Sequence, residues 1–319
     1  MRATSLHVVM YHYVRDLERT RYPKIKALLL DEFRRHVDEL PRRYEMATLE
    51  SALAFLSGAY EPERDLCLLT FDDGLKEHYA EVAPLLVDRG IQAAFFLITG
   101  CLERGSVAPV HMNHFLMAAL DFDLYRREFI RGVAARDPAA SARASEDGQV
   151  AAATYPWDTH EVAGFKYFFN FVLDPKVRDA VVRELFVRHI GPEEEFSAEL
   201  YLSWEEARRM QSAGLVMGGH SHWHRPLATL SRAELHNDLA SCRALLDIRL
   251  APQKLWPFCF PYGKSDSFNA ASLEELAALR FHCAFTTEAG ANTSGAGPFE
   301  IRRLDCKHAL RAPAMTVGR

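Results

Sequence analysis

Seven short runs of apolar and β-branched residues recur along this 319-residue chain, at 6–11, 67–71, 93–98, 215–217, 255–260, 283–287 and 301–304. Most are too continuous for strands with one wet face. They suit strands buried on both sides, as in a parallel sheet covered by helices. Helical patterning fills the intervals: 31–40 and 48–56 follow the first run, and 75–89 follows the second, with Gly90 placed to end it. Ser203, Ser231 and Ser272 each precede a glutamate by three residues (Glu206, Glu234, Glu275), the sequence form of a capping box. Alternation of this kind predicts an α/β fold, either a closed barrel or an open doubly wound sheet.

One interval breaks the rhythm. Residues 103–200 contain no convincing strand, only helical segments at 122–131, 165–173 and 176–190, with an Ala-, Ser-, Arg- and Asp-rich connector at 132–153 that reads as loosely ordered. The expectation is a single barrel over 1–319 that carries 103–200 as a helical insertion between its third and fourth strands. The insertion leaves from a strand end that faces the polar residues described next, so it is expected to act as a lid. His111 and His114 are then candidate substrate contacts, although a partly exposed helix start explains them equally well. Phe165, Tyr167, Phe168, Phe169 and Phe171 are too many aromatics for a solvated helix and are read as core.

Polar residues fall where the runs end. His12 closes the first, Asp72-Asp73-Gly74 the second, His220 the fourth, Pro261-Tyr262-Gly263 the fifth and Asp305 the seventh. In α/β barrels, catalytic side chains gather at the C-terminal ends of the strands. Asp-Gly alone is a common turn pair. Yet two adjacent carboxylates at a buried strand end repel unless a cation neutralises them. His220-Ser-His-Trp-His224 supplies two imidazoles at i,i+4 spacing. One carboxylate and two neutral imidazoles leave an open coordination position on Zn²⁺. The second carboxylate is then free to act as a base on water. Taken together the two motifs point to a metal-dependent hydrolase, with His222 directed elsewhere.

Composition removes other classes. Apolar residues make up 49% and charged residues 25%, and the net charge of −5 gives no basic footprint, so nucleic acid is not an expected partner. Six cysteines are scattered without a Cys-x-x-Cys pair, as expected of small buried hydrophobes in a reducing compartment. No run approaches the roughly 20 apolar residues of a membrane span. The first run is too short for a signal-peptide core, which makes the cytoplasm the expected location. Oligomeric state is not legible.

Three ordered motifs, Thr70-Phe-Asp-Asp-Gly74, His220-Ser-His-Trp-His224 and Phe258-Cys-Phe-Pro-Tyr-Gly263, resemble those of the polysaccharide deacetylase family, the NodB-homology domain of carbohydrate esterase family 4. The resemblance covers nearly the whole chain apart from the insertion. It implies a distorted (β/α)7 TIM-like barrel that removes an acetyl group from an N-acetylated sugar or glycoconjugate. It further implies a divalent ion, zinc by preference, on Asp73, His220 and His224, with Asp72 as general base and the Tyr262 N–H in the oxyanion hole. Two departures stand out. Where many members carry an arginine three residues before the tyrosine, this chain has Cys259, so Arg303, ahead of Arg302, is expected to supply the missing cation. The late Leu-x-His motif is absent. Met10-Tyr11-His12 instead resembles the circularly permuted branch acting on poly-N-acetylglucosamine, which makes His12 the expected general acid and His308 its competitor. The alternatives are an O-acetyl esterase or cyclic-amide hydrolase on the same barrel and, further off, a non-catalytic carbohydrate-binding relative.

Overall fold

The computed structural model describes residues 4–142, 148–155 and 158–310. The chain forms two compact units: residues up to 16, 26–106 and 197 onward make one, and residues 17–25 and 107–196 make the other.

The first unit is built on seven parallel strands: β1 (Leu6–Tyr11), β2 (Leu66–Phe71), β3 (Ala93–Leu97), β4 (Val216–Gly219), β5 (Pro257–Cys259), β6 (Cys283–Ala289) and β7 (Ile301–Asp305). Their order is β1-β7-β6-β5-β4-β3-β2, and β2 returns to β1 along six register pairs from Leu6↔Leu66 to Tyr11↔Phe71. That last ladder closes the sheet and rules out the open alternative. The fold is a (β/α)7 TIM-like barrel, with the two-residue strand Glu45–Met46 added beside the start of β2.

Strand alternation sorts the core. Leu6, Val8, Leu66, Leu68, Ala94, Phe96, Phe285 and Ile301 pack together inside the barrel. Val9, Tyr11, Cys67, Leu69, Phe71, Phe95 and Met217 instead face helix residues such as Phe33, Val37, Leu86, Met210 and Leu239. Because side chains on a strand alternate between faces, the residues that continue the inner set are Thr70 and Asp72 on β2 and Arg303 on β7. Sequence pattern alone thus aims a carboxylate and a guanidinium into the same interior.

Helix starts follow the capping signals at Ser203 and Ser231. At Ser272 they do not. Asn269 caps helix Ala270–Ala278 and Ser272 is its N3 residue, because the Asn269 side chain reaches the Ser272 N–H three residues earlier than expected. Residues 75–89 run through a π-type turn, His78–Val82, before regular helix Ala83–Asp88. Gly90 follows at φ 65°, the left-handed conformation that ends a helix, and the N–H of Ile91 closes onto the carbonyl of Leu86.

The second unit is helical among its described residues, with Pro109–Ala119, Phe122–Arg136, His160–Tyr167 and Pro175–His189 as its main segments. The connector expected at 132–153 is largely helical as well. Gly132 lies inside helix Phe122–Arg136, and Pro138–Ala142 and Gly148–Thr154 add short turns, while 143–147 fall outside the described residues. A Cβ on Gly132 would sit 2.7 Å from Val181, so the glycine serves close helix approach and not a loop. Phe165, Phe168 and Phe169 are buried, and Phe165 meets Tyr125 and Phe129 edge-on. Among the described residues no helix is long and apolar enough to cross a membrane.

Candidate active site

The site is assembled at the C-terminal ends of the strands. β2 ends with the Asp72 N–H bonded to the Tyr11 carbonyl at 2.9 Å, and the chain then turns through left-handed Asp73 (φ 77°) and Gly74 (φ 64°). A Cβ at Gly74 would meet Leu97 Cδ2 at 2.9 Å, and together with the left-handed φ this favours glycine there. The turn separates the two carboxylates. Asp72 stays in line with the barrel interior, whereas Asp73 Oδ1 lies 3.5 Å from His220 Nε2 and 3.5 Å from His224 Nε2.

His220 follows β4 directly, and its Nδ1–H donates to the Cys259 carbonyl at 2.7 Å. That bond makes Nδ1 the donor and turns Nε2 toward Asp73, where a proton or a cation can sit between them. The ligand atoms of Asp73, His220 and His224 all lie within 4.8 Å of one another. Two ligands on bonds of about 2.0–2.2 Å at a tetrahedral ion are about 3.4 Å apart, so the 3.5 Å spacings fit a shared divalent cation. Electrostatics agree. Burial opposes charge on His220, but Cys259, Asp73 and Asp72 outweigh it and hold the imidazolium pKa well above the usual histidine range. The cluster therefore attracts positive charge.

The loop that presents the two imidazoles is firmly held. The Asp238 carboxylate accepts the N–H of His222 at 2.7 Å and of Trp223 at 3.1 Å, and the Gly100 N–H donates to the His222 carbonyl at 2.9 Å. The His222 side chain turns away to Thr99 Oγ1 (3.0 Å), and burial together with Arg104 pushes its pKa down to about 4. Among the described residues five non-glycine residues have positive φ, and four of them are Asp73, Ser221 (60°), His224 (53°) and Tyr262 (64°). Backbone strain of this kind persists where the surroundings over-determine the chain, and it concentrates at functional sites.

Asp72 is paired differently. Both its oxygens accept from Arg303, at 2.7 Å each, and the guanidinium also donates to the Thr286 carbonyl (2.7 Å), Thr70 Oγ1 (3.2 Å) and Cys259 Sγ (3.0 Å). Burial works to raise the Asp72 pKa, but Arg303, His12 and His220 overcome it and bring it down to about 2. Asp72 is thus an ionised carboxylate sealed inside the barrel, oriented by a fully buried arginine.

A family model described as polysaccharide deacetylase matches residues 59–284. The chain belongs to the polysaccharide deacetylase family. "Putative polysaccharide deacetylase YxkH" of Bacillus subtilis (strain 168) is 30% identical over 95 residues, an alignment spanning 30% of this chain and 32% of that protein. Among solved structures, a Streptococcus pyogenes deacetylase, PplD, in complex with acetate superposes with a TM-score of 0.60 at 15% identity, covering 97% of this chain and 98% of that one. IcaB from Ammonifex degensii gives 0.60 at 20% identity, covering 97% and 96%. At such identities the superpositions show a shared fold.

Within this deacetylase barrel, His12 follows β1 and places its Nε2 3.5 Å from Asp72 Oδ2, with 42% of its side chain exposed, against 1% for Asp72. Arg303 is the arginine of β7 that points inward. Arg302 is exposed, and its N–H is tied to Asn292 Oδ1 at 2.9 Å. Tyr262 sits with its ring 5.2 Å from that of His224, and its carbonyl accepts the Thr287 hydroxyl at 2.7 Å. His308 lies on the single turn Cys306–His308 beyond β7, and exposed Asp305 caps that turn through the Lys307 N–H. His111, buried, and His114 neighbour each other in helix Pro109–Ala119 of the other unit. Sequence reasoning missed Thr70, Thr286, His78 and Asp238. Of these only Thr70, in the motif itself and two residues before Asp72, had a signal that strand alternation makes readable.

Proposed function

We propose that this protein is a metal-dependent hydrolase that removes the acetyl group from an N-acetylated sugar or glycoconjugate. The observation that supports it most directly is the ionised Asp72, locked by Arg303 beside the three-donor cluster of Asp73, His220 and His224. Zinc bound by that cluster would supply Lewis acidity at the acetyl carbonyl. Asp72 takes a proton from the attacking water as the new C–O bond forms. The Tyr262 N–H holds the developing oxyanion, a contribution worth about 3 kcal/mol for a single donor. His12 delivers a proton to the nitrogen as the C–N bond breaks, giving acetate and a free amino sugar. An amine needs that proton to leave, and an ester oxygen needs it less, so a histidine within reach of Asp72 favours the amide reading over an O-acetyl esterase. Side-by-side measurement of acetate release from N-acetyl and O-acetyl sugars tests this. Release from the ester alone overturns the amide assignment.

Metal content is expected to follow the donor set. Wild-type protein loaded with zinc and desalted is expected to retain about one equivalent, whereas Asp73→Ala and His224→Ala retain little, by elemental analysis. Retention of a full equivalent by either variant moves the site elsewhere.

His12→Ala is expected to keep its metal and lose most amide hydrolysis. Its pH–rate profile is expected to lose the basic limb, because the fall in rate at high pH reports deprotonation of the acid. Near-normal turnover would pass the role to His308 or another group.

A further inference from the structure

We propose that His78 is a positioning residue for His12, an inference that rests on the reading of His12 as the proton donor. His78 is fully buried and starts the π-type turn that follows the acidic motif. Its Nδ1 accepts the Leu75 N–H at 3.3 Å, so Nε2 carries the hydrogen donated to the His12 carbonyl at 2.9 Å. One imidazole therefore joins the strand end that bears Asp72 and Asp73 to the main chain of the residue assigned to protonate the leaving amine.

The neighbouring residue strengthens the same joint. Glu77 accepts from Arg15 Nε at 2.6 Å and from its terminal nitrogen at 3.2 Å, and both side chains are mostly buried. Residues 12 and 15 of the segment after β1 are thus both docked on residues 77 and 78. The His12 side chain has little of its own to hold it. It is 42% exposed, and 3.5 Å to Asp72 is too long for a good hydrogen bond. Its place beside Asp72 is inherited from its backbone: the neighbouring Tyr11 and Tyr13 carbonyls accept the Asp72 and Leu28 N–H groups, and the His12 carbonyl itself is held by His78. Proton transfer is sensitive to such placement, since an error of about 1 Å can cost about 10²-fold in rate.

A packing role is the competing explanation, because the ring also meets Phe71 edge-on at 5.4 Å and Phe95 at 5.7 Å. Phenylalanine at this position keeps those contacts and removes both hydrogen bonds. Asparagine keeps one donor and one acceptor, as neutral imidazole does.

The test uses zinc-loaded full-length protein and two substrates, an N-acetyl amino sugar and an activated aryl acetate whose phenolate leaves without a proton. His78→Phe is expected to lower kcat on the amide by about 10- to 10²-fold with little change in KM, to spare the aryl ester, and to keep its metal. His78→Asn is expected to recover part of the loss. Adding His78→Phe to His12→Ala is expected to cost nothing more, because two residues acting through one group are not additive. Equal losses on both substrates, or a further loss in the His12→Ala background, would overturn the proposal and leave packing as the role. Should His78→Phe not fold, His78→Met, which fills similar space without either bond, takes its place in the same cycle. Normal amide turnover by His12→Ala alone would instead overturn the assignment of the acid.

Discussion

Asp72→Asn is expected to lower kcat on an N-acetyl sugar by about 10²-fold or more while leaving the bound metal in place. The amide keeps the shape of the side chain but cannot take a proton from water. Metal is expected to be retained because the proposed donor set takes Asp73, which the left-handed turn directs away from Asp72. Elemental analysis beside steady-state kinetics separates the two effects. Loss of metal from this variant would exchange the roles of the two aspartates, and unchanged kcat would remove Asp72 from proton transfer.

Arg303→Met is expected to be the most destabilising of the substitutions discussed. It leaves a carboxylate inside the barrel with its bidentate partner gone, and breaking a buried pair in this way costs about 3–5 kcal/mol. The effect depends on pH with a definite sign. The Asp72 pKa is depressed to about 2, so its pairing contributes stability fully above the unfolded-state value of about 3.9 and loses it as pH falls through about 2. The stability gap between wild type and Arg303→Met, measured by urea unfolding, is therefore expected to be widest at neutral pH and to narrow as pH falls from about 4 towards 2. The acid limb of the pH–rate profile is expected to move up in the variant, because burial then acts on Asp72 with less opposition. Arg303→Lys keeps the charge but not the two-pronged geometry, and an intermediate result is expected. A variant as stable as wild type at pH 7 would show that the pair contributes no net stability.

The barrel was legible because its strands are buried on both sides and read as unbroken apolar runs, which helices between them rarely imitate. Arg303 was legible as the candidate partner of the base because the resemblance leaves that role empty at Cys259 and it falls in the last such run, but the two-pronged pairing itself was not. Only closure of β7 against β1 and β6 brings it to a β2 carboxylate more than two hundred residues away. The same holds for Asp238, which sits on an ordinary amphipathic helix, and its role comes from two backbone N–H groups that no side-chain pattern announces. The 132–153 segment misled for a different reason. Its Ala-, Ser-, Arg- and Asp-rich composition reads as weakly structured, whereas alanine and arginine are strong helix formers and Gly132 marks a tight helix crossing at Val181. Ser272 misled because Ser-x-x-Glu also occurs one turn inside a helix that Asn269 has already capped.

The 3.5 Å that separates His12 from Asp72 has a consequence for successive turnovers. On the proposed roles each cycle ends with a proton gained at Asp72 and one lost at His12, both at positions that would block the next cycle. A carboxyl and an imidazole that close can exchange that proton directly after only a small side-chain shift. The sealed base is then recharged through the exposed acid, and the resting state is regenerated without a proton route through the barrel wall. Turnover is accordingly expected to be insensitive to buffer concentration at fixed pH, as befits a catalyst whose proton circuit closes on itself.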